Sequence, residues 1–411
     1  MTSLPRGWRN GTLAALGAEA QTGFASGANN RSGIGIIHLR PMNVTRNGTV
    51  DLMDVKYVED VTDRRVRTGD VLFNNTNSPA LVGKTAIVEV AEPLAYSNHM
   101  TRLRFPAEAV DPKFMAHQLH HLWMAGFFES ICSNHVNQAS VSAKRLLAVD
   151  VVLPPLDEQR RIVAILEDNL SRLDAGLRST ASVRRLTPLL LRQALTARID
   201  NVVADRRPLG ELVREGMRNG HSARASLDGT GIRTLTLTAV TKGEFTDANS
   251  KLTVADKDKV QDLWLEPGDI FVERANTPEL VGTSALYRGL TGWAIFPDLL
   301  IRVRADTSVV SPEYIGLVLQ SPESRQFLRD RAKGLAGSMP KIDQGTLAQL
   351  PVPVPSLVEQ TQVVGFMESL IEKCKRIDGL ATTVEVHGNL LRKSLMIAAF
   401  SGQLTKESVS V

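Results

Sequence analysis

The chain has 411 residues, of which 43% are apolar and 22% charged, with 48 Lys and Arg against 44 Asp and Glu. That length predicts two or three domains with more than one core. The composition excludes a collagen-like or wholly disordered chain, and two cysteines, Cys132 and Cys374, exclude a disulfide scaffold. No apolar run approaches a membrane span or a signal peptide, so a cytoplasmic protein is expected. The net charge of +4 suits a nucleic-acid partner without requiring one.

In chain order, the first 154 residues mix short β-branched runs, such as 86–90, with Gly, Pro and Asn punctuation. Pro112 to Ser130 reads as a helix opened by proline. A compact α+β domain is expected over 1–154. Residues 155–199 form a helical region, with Val163, Leu166, Leu170, Leu173 and Leu177 spaced alternately by three and four.

The pattern then recurs. Gly69-Asp70-Val71-Leu72-Phe73 matches Gly268-Asp269-Ile270-Phe271-Val272, and Asn77-Ser78-Pro79-Ala80-Leu81-Val82-Gly83 matches Asn276-Thr277-Pro278-Glu279-Leu280-Val281-Gly282. Gly35-Ile36 pairs with Gly231-Ile232, and Leu153 to Gln159 with Val354 to Gln360. A second α+β domain is therefore expected over 200–355, with a strand at 299–303 and a helix from Pro312 to Arg331. Over 356–411 the heptad returns as Val363, Met367, Leu370, Cys374, Ile377, Ala381 and Val384, resuming at Leu391, Leu395 and Ala398. This spacing is a coiled-coil seam that needs a partner helix. The other copy, running antiparallel, is the expected partner. The predicted architecture is α+β: two repeated globular domains separated by two long α-helices in an antiparallel coiled coil, with pseudo-two-fold symmetry. Each helix of about 40 residues would span roughly 60 Å. A kink or a break is expected at Pro188 and at Gly388.

The repeat tests candidate sites, because a site needed twice should appear twice. Gly83-Lys84-Thr85 has Ser78 where a phosphate loop needs glycine, and the second copy reads Gly282-Thr283-Ser284. His117, His120 and His121 have metal-like helical spacing, but Gly316, Leu319 and Gln320 stand 199 residues on. A polar helix face is expected there, with no metal. No adenine-methylation motif, methyl-donor loop or nuclease constellation is found, so no catalytic residue is assigned.

Leu4-Pro5-Arg6-Gly7-Trp8, the Gly-Asp-strand-loop segments at Gly69 and Gly268, the helix starts at Pro154 and Pro355, and the close from Leu391 to Leu404 form one ordered, duplicated set. Together these segments resemble the specificity subunit of type I restriction-modification enzymes. The resemblance implies two target recognition domains, each reading one half of a bipartite double-stranded DNA sequence. It implies that the helices set the spacer and dock two adenine methyltransferase subunits, and through them a motor-nuclease subunit. S-adenosylmethionine, Mg and ATP would belong to those partners, with no cofactor in this chain and no membrane. One departure is the first helical region, which ends Ala194-Leu195-Thr196-Ala197-Arg198 in place of Ala-Phe-Ser-Gly. The alternatives are a coiled-coil scaffold that binds proteins, or the same subunit in a methylation-only system.

Structural residues agree between the copies while polar ones differ. Asn74-Asn75-Thr76-Asn77 stands against Glu273-Arg274-Ala275-Asn276. Asn suits the adenine edge and Arg the guanine edge, so an asymmetric target is expected. The candidate DNA contacts in the first domain are Arg31, Arg40, Arg64, Arg65, Asn74, Asn75, Asn77, Lys84 and Lys144. In the second they are Arg224, Arg233, Arg274, Asn276, Arg331, Lys333 and Lys341. The first domain carries 15 basic and 13 acidic residues, the second 19 and 20, so any grip on phosphates must come from local patches.

Overall fold

A computed structural model describes residues 4–59, 62–135, 138–334 and 339–405. The chain forms two compact units, Met1–Thr180 with Thr382–Val411, and Ala181–Ala381. Each contains one α+β domain and a stretch of both long helices.

In the first unit Arg9–Thr12 pairs antiparallel with Asp150–Leu153, which ties the two ends of the domain together. A four-stranded sheet runs in the order Glu19–Thr22, Met100–Arg104, Val71–Asn74, Thr85–Ile87. A second sheet contains Ile36–Leu39 and Leu94–Tyr96 as parallel neighbours. The second unit repeats this scheme. Arg206–Pro208 pairs with Pro351–Pro353. The four-stranded order is Arg218–Asn219, Leu300–Val303, Ile270–Glu273, Ser284–Leu286. Ile232–Leu235 meets Ile295 through a parallel bridge at Thr234.

The matched residues have matched physical roles. Gly35 and Gly231 hold φ of +95° and +123°, and a Cβ there would lie 2.2 and 2.3 Å from the carbonyl oxygens of Val58 and Thr253. Only glycine permits that approach. Asp70 and Asp269 are buried; each accepts a backbone N–H within its own turn and holds an arginine at the end of a neighbouring strand, Arg104 at 2.5 Å and Arg304, just past Val303, at 2.6 Å. Gln159 and Gln360 are fully buried where the long helices begin. Gln159 donates to the carbonyls of Ala109 and Pro154 and accepts from Asp111 N. Gln360 makes the same three bonds to Val309, Pro355 and Ser311 N. These two amides join each domain to its helix.

The helices expected at 112–130 and 312–331 are each divided. Pro112–Met124 ends before Gly126, whose φ is +77°, and Phe127–Ile131 follows. Pro312–Gln320 ends at Ser321, which precedes Pro322 and is extended at ψ 151°. A residue before proline is pushed out of the helical region.

The long helices are Leu156–Leu195 and Leu357–Phe400, and both run unbroken through Pro188 and Gly388. Gly388 serves close approach, not a break: a Cβ there would lie 2.9 Å from Leu177. The helices are antiparallel in both units. In the first, Glu158 meets Thr405 and Asp174 holds Arg392. In the second, Arg184 bonds Asp378 at 2.9 Å and Arg198 lies over the Phe366 ring.

On the first helix Val163, Leu166 and Leu170 are buried and Leu173 and Leu177 half-buried. On the second, Met367, Cys374 and Ala381 are buried, Val363 and Leu370 half-buried, and Ile377 and Val384 exposed at 38% and 47%. One row of the heptad is covered there, while its neighbour opens from half-buried at Val363 and Leu370 to exposed at Ile377 and Val384. Past Ala381 the buried positions are Gly388, Arg392, Met396 and Ala399, one residue beyond the expected Leu391, Leu395 and Ala398. A seven-residue repeat drifts about 20° around a straight helix, and from Ala381 to Arg392 and from Gly388 to Ala399 the buried row advances by eleven residues. Among the described residues, no helix is long and apolar enough to cross a membrane.

Candidate nucleic-acid interface

In each domain a buried strand, Val71–Asn74 or Ile270–Glu273, delivers a polar segment to the domain edge. The return is made by Gly83 and Gly282, with φ of +91° and +76°; a Cβ would strike Phe128 at 2.5 Å or Leu328 at 2.9 Å. In the first domain the segment is itself a strand, Thr76–Asn77, paired with Gln138–Ser140, which pairs with Ser133–His135. In the second, Ala275 bridges Lys341, and Lys341 bridges Lys333. Both domains thus set the divergent segment against a later pairing, two strands in the first and a single bridge in the second. The second brings Arg274, Asn276, Lys333 and Lys341 together, with Arg331 just before. The first offers Asn77, Asn134 and Gln138, with Lys144 on the short helix beside the hairpin, where Arg145 donates to Ile131 O and Ser133 Oγ.

Sequence reading missed the first hairpin, Asn134, Gln138 and Arg145. Its Ser133-Asn134 run reads as turn punctuation, and only pairing with Thr76–Asn77 makes it a sheet.

Several candidates have their polar atoms engaged inside the domain. Asn74 is buried and donates to Pro41 O; Asn75 donates to Asn98 O and Thr101 Oγ1. Lys84 is buried with its ammonium on Val44 O, and burial, with Arg46 adding repulsion, lowers its pKa. These three serve the fold. Asn77 and Asn276 are half-exposed, and each accepts from the next backbone N–H at 2.8 Å. Arg274 is half-exposed with a 3.4 Å bond to Asp298 O. Lys333 and Lys341 are exposed and paired through backbone alone. Arg331 is exposed and lies 3.8 Å over Phe327.

The other candidates stand on different elements. Arg31 and Arg40 share Asp54 at 3.4 and 3.8 Å. Arg64 donates to Thr22 O and Gly23 O, and Arg65 to Arg64 O. Arg233 pairs with Asp247 and lies 4.9 Å over Trp293, while Arg224 is exposed nearby on the chain.

The three histidines do not form the expected polar face. His120 is 1% exposed, His121 stacks on Phe400, and His117 meets Glu167 of the first long helix at 3.4 Å. Burial pushes the His120 imidazole down to about 3. The helix caps at Asp111 and Ser311 align these helices at an offset of 200, so the counterparts are Leu317, Gln320 and Ser321. Among the described residues no cluster of His, Cys, Asp or Glu could hold a metal.

Comparison with known proteins gives a consistent result. The profile described as the type I restriction modification DNA specificity domain matches residues 23–179. The chain is 23% identical to the StySPI specificity subunit of Salmonella potsdam, over 89% of this chain and 82% of that one. It is 22% identical to the EcoKI specificity subunit of Escherichia coli K12 over the same shares. A putative MjaX specificity subunit of Methanocaldococcus jannaschii is 34% identical over 31% of this chain and 29% of its own. Among solved structures, a chain from a type I R-M system studied for complex assembly and conformational transition shares the fold at TM-score 0.75, with 19% identity and coverage of 98% and 100%. The HsdS subunit from Thermoanaerobacter tengcongensis shares it at 0.60, with 20% identity and coverage of 97% and 98%. Residues 23–179 thus match a type I restriction modification DNA specificity domain, and over most of its length the chain is similar to type I restriction-enzyme specificity subunits.

Proposed function

We propose that the chain is the non-catalytic DNA-reading subunit of a type I restriction-modification complex in the cytoplasm. Residues 1–154 and 200–355 are its two target recognition domains, and 155–199 and 356–411 its spacer regions. Each domain reads one half of an asymmetric, split sequence in double-stranded DNA. The helices set the distance between half-sites and dock two adenine methyltransferase subunits, and through them the motor-nuclease subunit.

The observation that carries this reading is one scaffold built twice with different polar residues at the same edge. Such an edge can change its side chains without changing its backbone, which a reader of two different half-sites needs. The hairpin sides supply groups of the right chemistry: Arg274, Lys333 and Lys341 in the second domain, Asn77, Asn134 and Gln138 in the first. Arginine and lysine fit guanine edges and phosphates, and carboxamides fit adenine. The exposed apolar residues Val183, Leu186 and Leu190 on the first long helix suit a protein partner.

The experiment is a map of methylated adenines in the host genome with and without this gene. A split motif that disappears with the gene supports the reading. A gel shift of the chain with its methyltransferase must then favour that motif over scrambled DNA. Binding without sequence preference would indicate a protein-binding scaffold, and purification without an ATP-dependent nuclease a methylation-only system.

A further inference from the structure

The buried ends of the two edge strands carry different residues for one task. Asn74 and Glu273 occupy the same place: their backbone N–H groups donate to Lys84 O and Thr283 O, and their carbonyls accept from Gly83 and Gly282. Both are 0% exposed. Each side chain also reaches the element that follows the strand Ile36–Leu39 or Ile232–Leu235. Asn74 does so as a donor, giving Nδ2–H to Pro41 O at 2.9 Å. Glu273 Oε1 lies 2.5 Å from Thr241 Oγ1.

That hydroxyl sets a proton count. Thr241 Oγ1 also lies 3.1 Å from Leu237 O, a carbonyl that can only accept. A hydroxyl has one hydrogen. If it serves Leu237, the hydrogen between Thr241 and Glu273 must come from the carboxyl. The other carboxyl oxygen accepts from Asn276 Nδ2 at 2.6 Å. The orientation of that amide is set independently, since Asn276 Oδ1 accepts from Thr277 N at 2.8 Å.

We propose that Glu273 is held protonated in the folded chain, donating to Thr241 and accepting from Asn276, and that this neutral acid positions the reading segment 274–277 of the second domain. Asn74 is its amide counterpart in the first domain. The surroundings agree. Among the described residues no cation pairs with Glu273. Lys242 ends the helix that carries Thr241, and Arg274 is the next residue along the chain. Arg325 is the cation whose charge reaches the carboxyl, and it is engaged with Val281 O and Glu279 O. Burial raises the Glu273 pKa above the usual carboxylate value. A carboxylic acid kept neutral by an apolar site is a known device for donating a hydrogen bond near neutral pH. The folded chain then holds a proton that the unfolded chain releases. Stability falls as pH climbs from the ordinary carboxylate range toward the raised folded-state value, and is level beyond it.

The effect on DNA rests on the function proposed above; the proton does not. The test uses the full chain and three forms: wild type, E273Q and N74D. E273Q replaces the O–H donor with an amide N–H and keeps the acceptor, so it should fold and read DNA normally. Infrared spectra of wild type at neutral pH should show the C=O stretch of a protonated carboxyl, lost in E273Q. With its methyltransferase, wild type should lose discrimination in one half-site as the buffer turns alkaline. E273Q should keep it, and N74D should bring the same alkaline loss to the other half-site. No carboxyl band removed by E273Q, an E273Q chain that fails to fold, or matching pH profiles of wild type and E273Q would each overturn the proposal. A wild-type complex with no sequence preference at any pH would defeat the DNA reading instead, while the infrared band still decides the proton.

Discussion

The two α+β domains share a backbone plan but meet the carboxylates of the long helices differently. In the first, Lys113 bridges Glu89 at 2.6 Å and Glu167 at 3.1 Å, His117 adds a contact to Glu167, and His120 is buried beneath. In the second, aligned by the same caps and strands, Glu89 is replaced by Arg288, Lys113 by Glu313 and His120 by Gln320; Glu167 becomes Glu368. The ion pair survives as Arg288 to Glu368 at 2.8 Å, with the cation arriving from another position. An open cleft of about 540 Å³ remains there, lined by Ser284, Gly316 and Gln320 among others. The lesson is that the repeat preserves a buried glutamine with its three bonds and a helix carboxylate, and leaves each domain to meet the carboxylate in its own way.

The largest expected effect comes from the part the copies share. Asp269→Ala takes from Arg304, with a 10% exposed side chain, its bidentate and most buried partner, leaving the half-exposed Glu215 and Glu266 at 3.1 Å, and should cost about 3 kcal/mol in urea unfolding of the second domain. Asp70→Ala should cost less, because the Arg104 side chain is 29% exposed and reaches water. Equal costs would mean that burial does not set the difference.

Much of this was legible before the structure. A duplicated Gly-Asp and a duplicated Glu-Gln stand out because backbone geometry and buried hydrogen bonds tolerate few substitutes. The interface was legible only in part. Asn75 and Lys84 read as surface groups because type and spacing do not reveal burial, whereas Arg274 and Lys341, far apart in sequence, meet only through a β-bridge. The heptad gave the helices and their partner but not which row is covered. Met367 is 1% exposed and Ile377 38%. Met367→Asp should therefore cost about 3 kcal/mol or more, and Ile377→Asp well under about 1 kcal/mol. Similar losses would restore the symmetric seam.

A smaller effect should separate the domains by pH. His120 is neutral when folded and held near 3, whereas the unfolded imidazole takes a proton near its usual 6.5. A depressed histidine contributes stability that is complete above pH 6.5 and is lost as pH falls toward 3. Between neutrality and pH 5 the first domain should lose about 2 kcal/mol. H120Q installs the second domain's residue and should flatten that slope, whatever it does to stability at neutral pH. A slope unchanged in H120Q would place the titrating group elsewhere.

The smallest effect is the one that distinguishes reading from folding. Arg274 and Asn75 occupy equivalent positions, yet Arg274 is half-exposed beside Lys341 while Asn75 is bonded to Asn98 and Thr101. Arg274→Ala should leave unfolding nearly unchanged and weaken DNA binding by about 1–3 kcal/mol, relaxing preference in one half-site only. Asn75→Ala should do the reverse, lowering stability by about 1–2 kcal/mol through two lost bonds from a buried amide. If Arg274→Ala weakens every sequence alike, the guanidinium grips phosphate, and base recognition in that half passes to Lys341 and its hairpin neighbours.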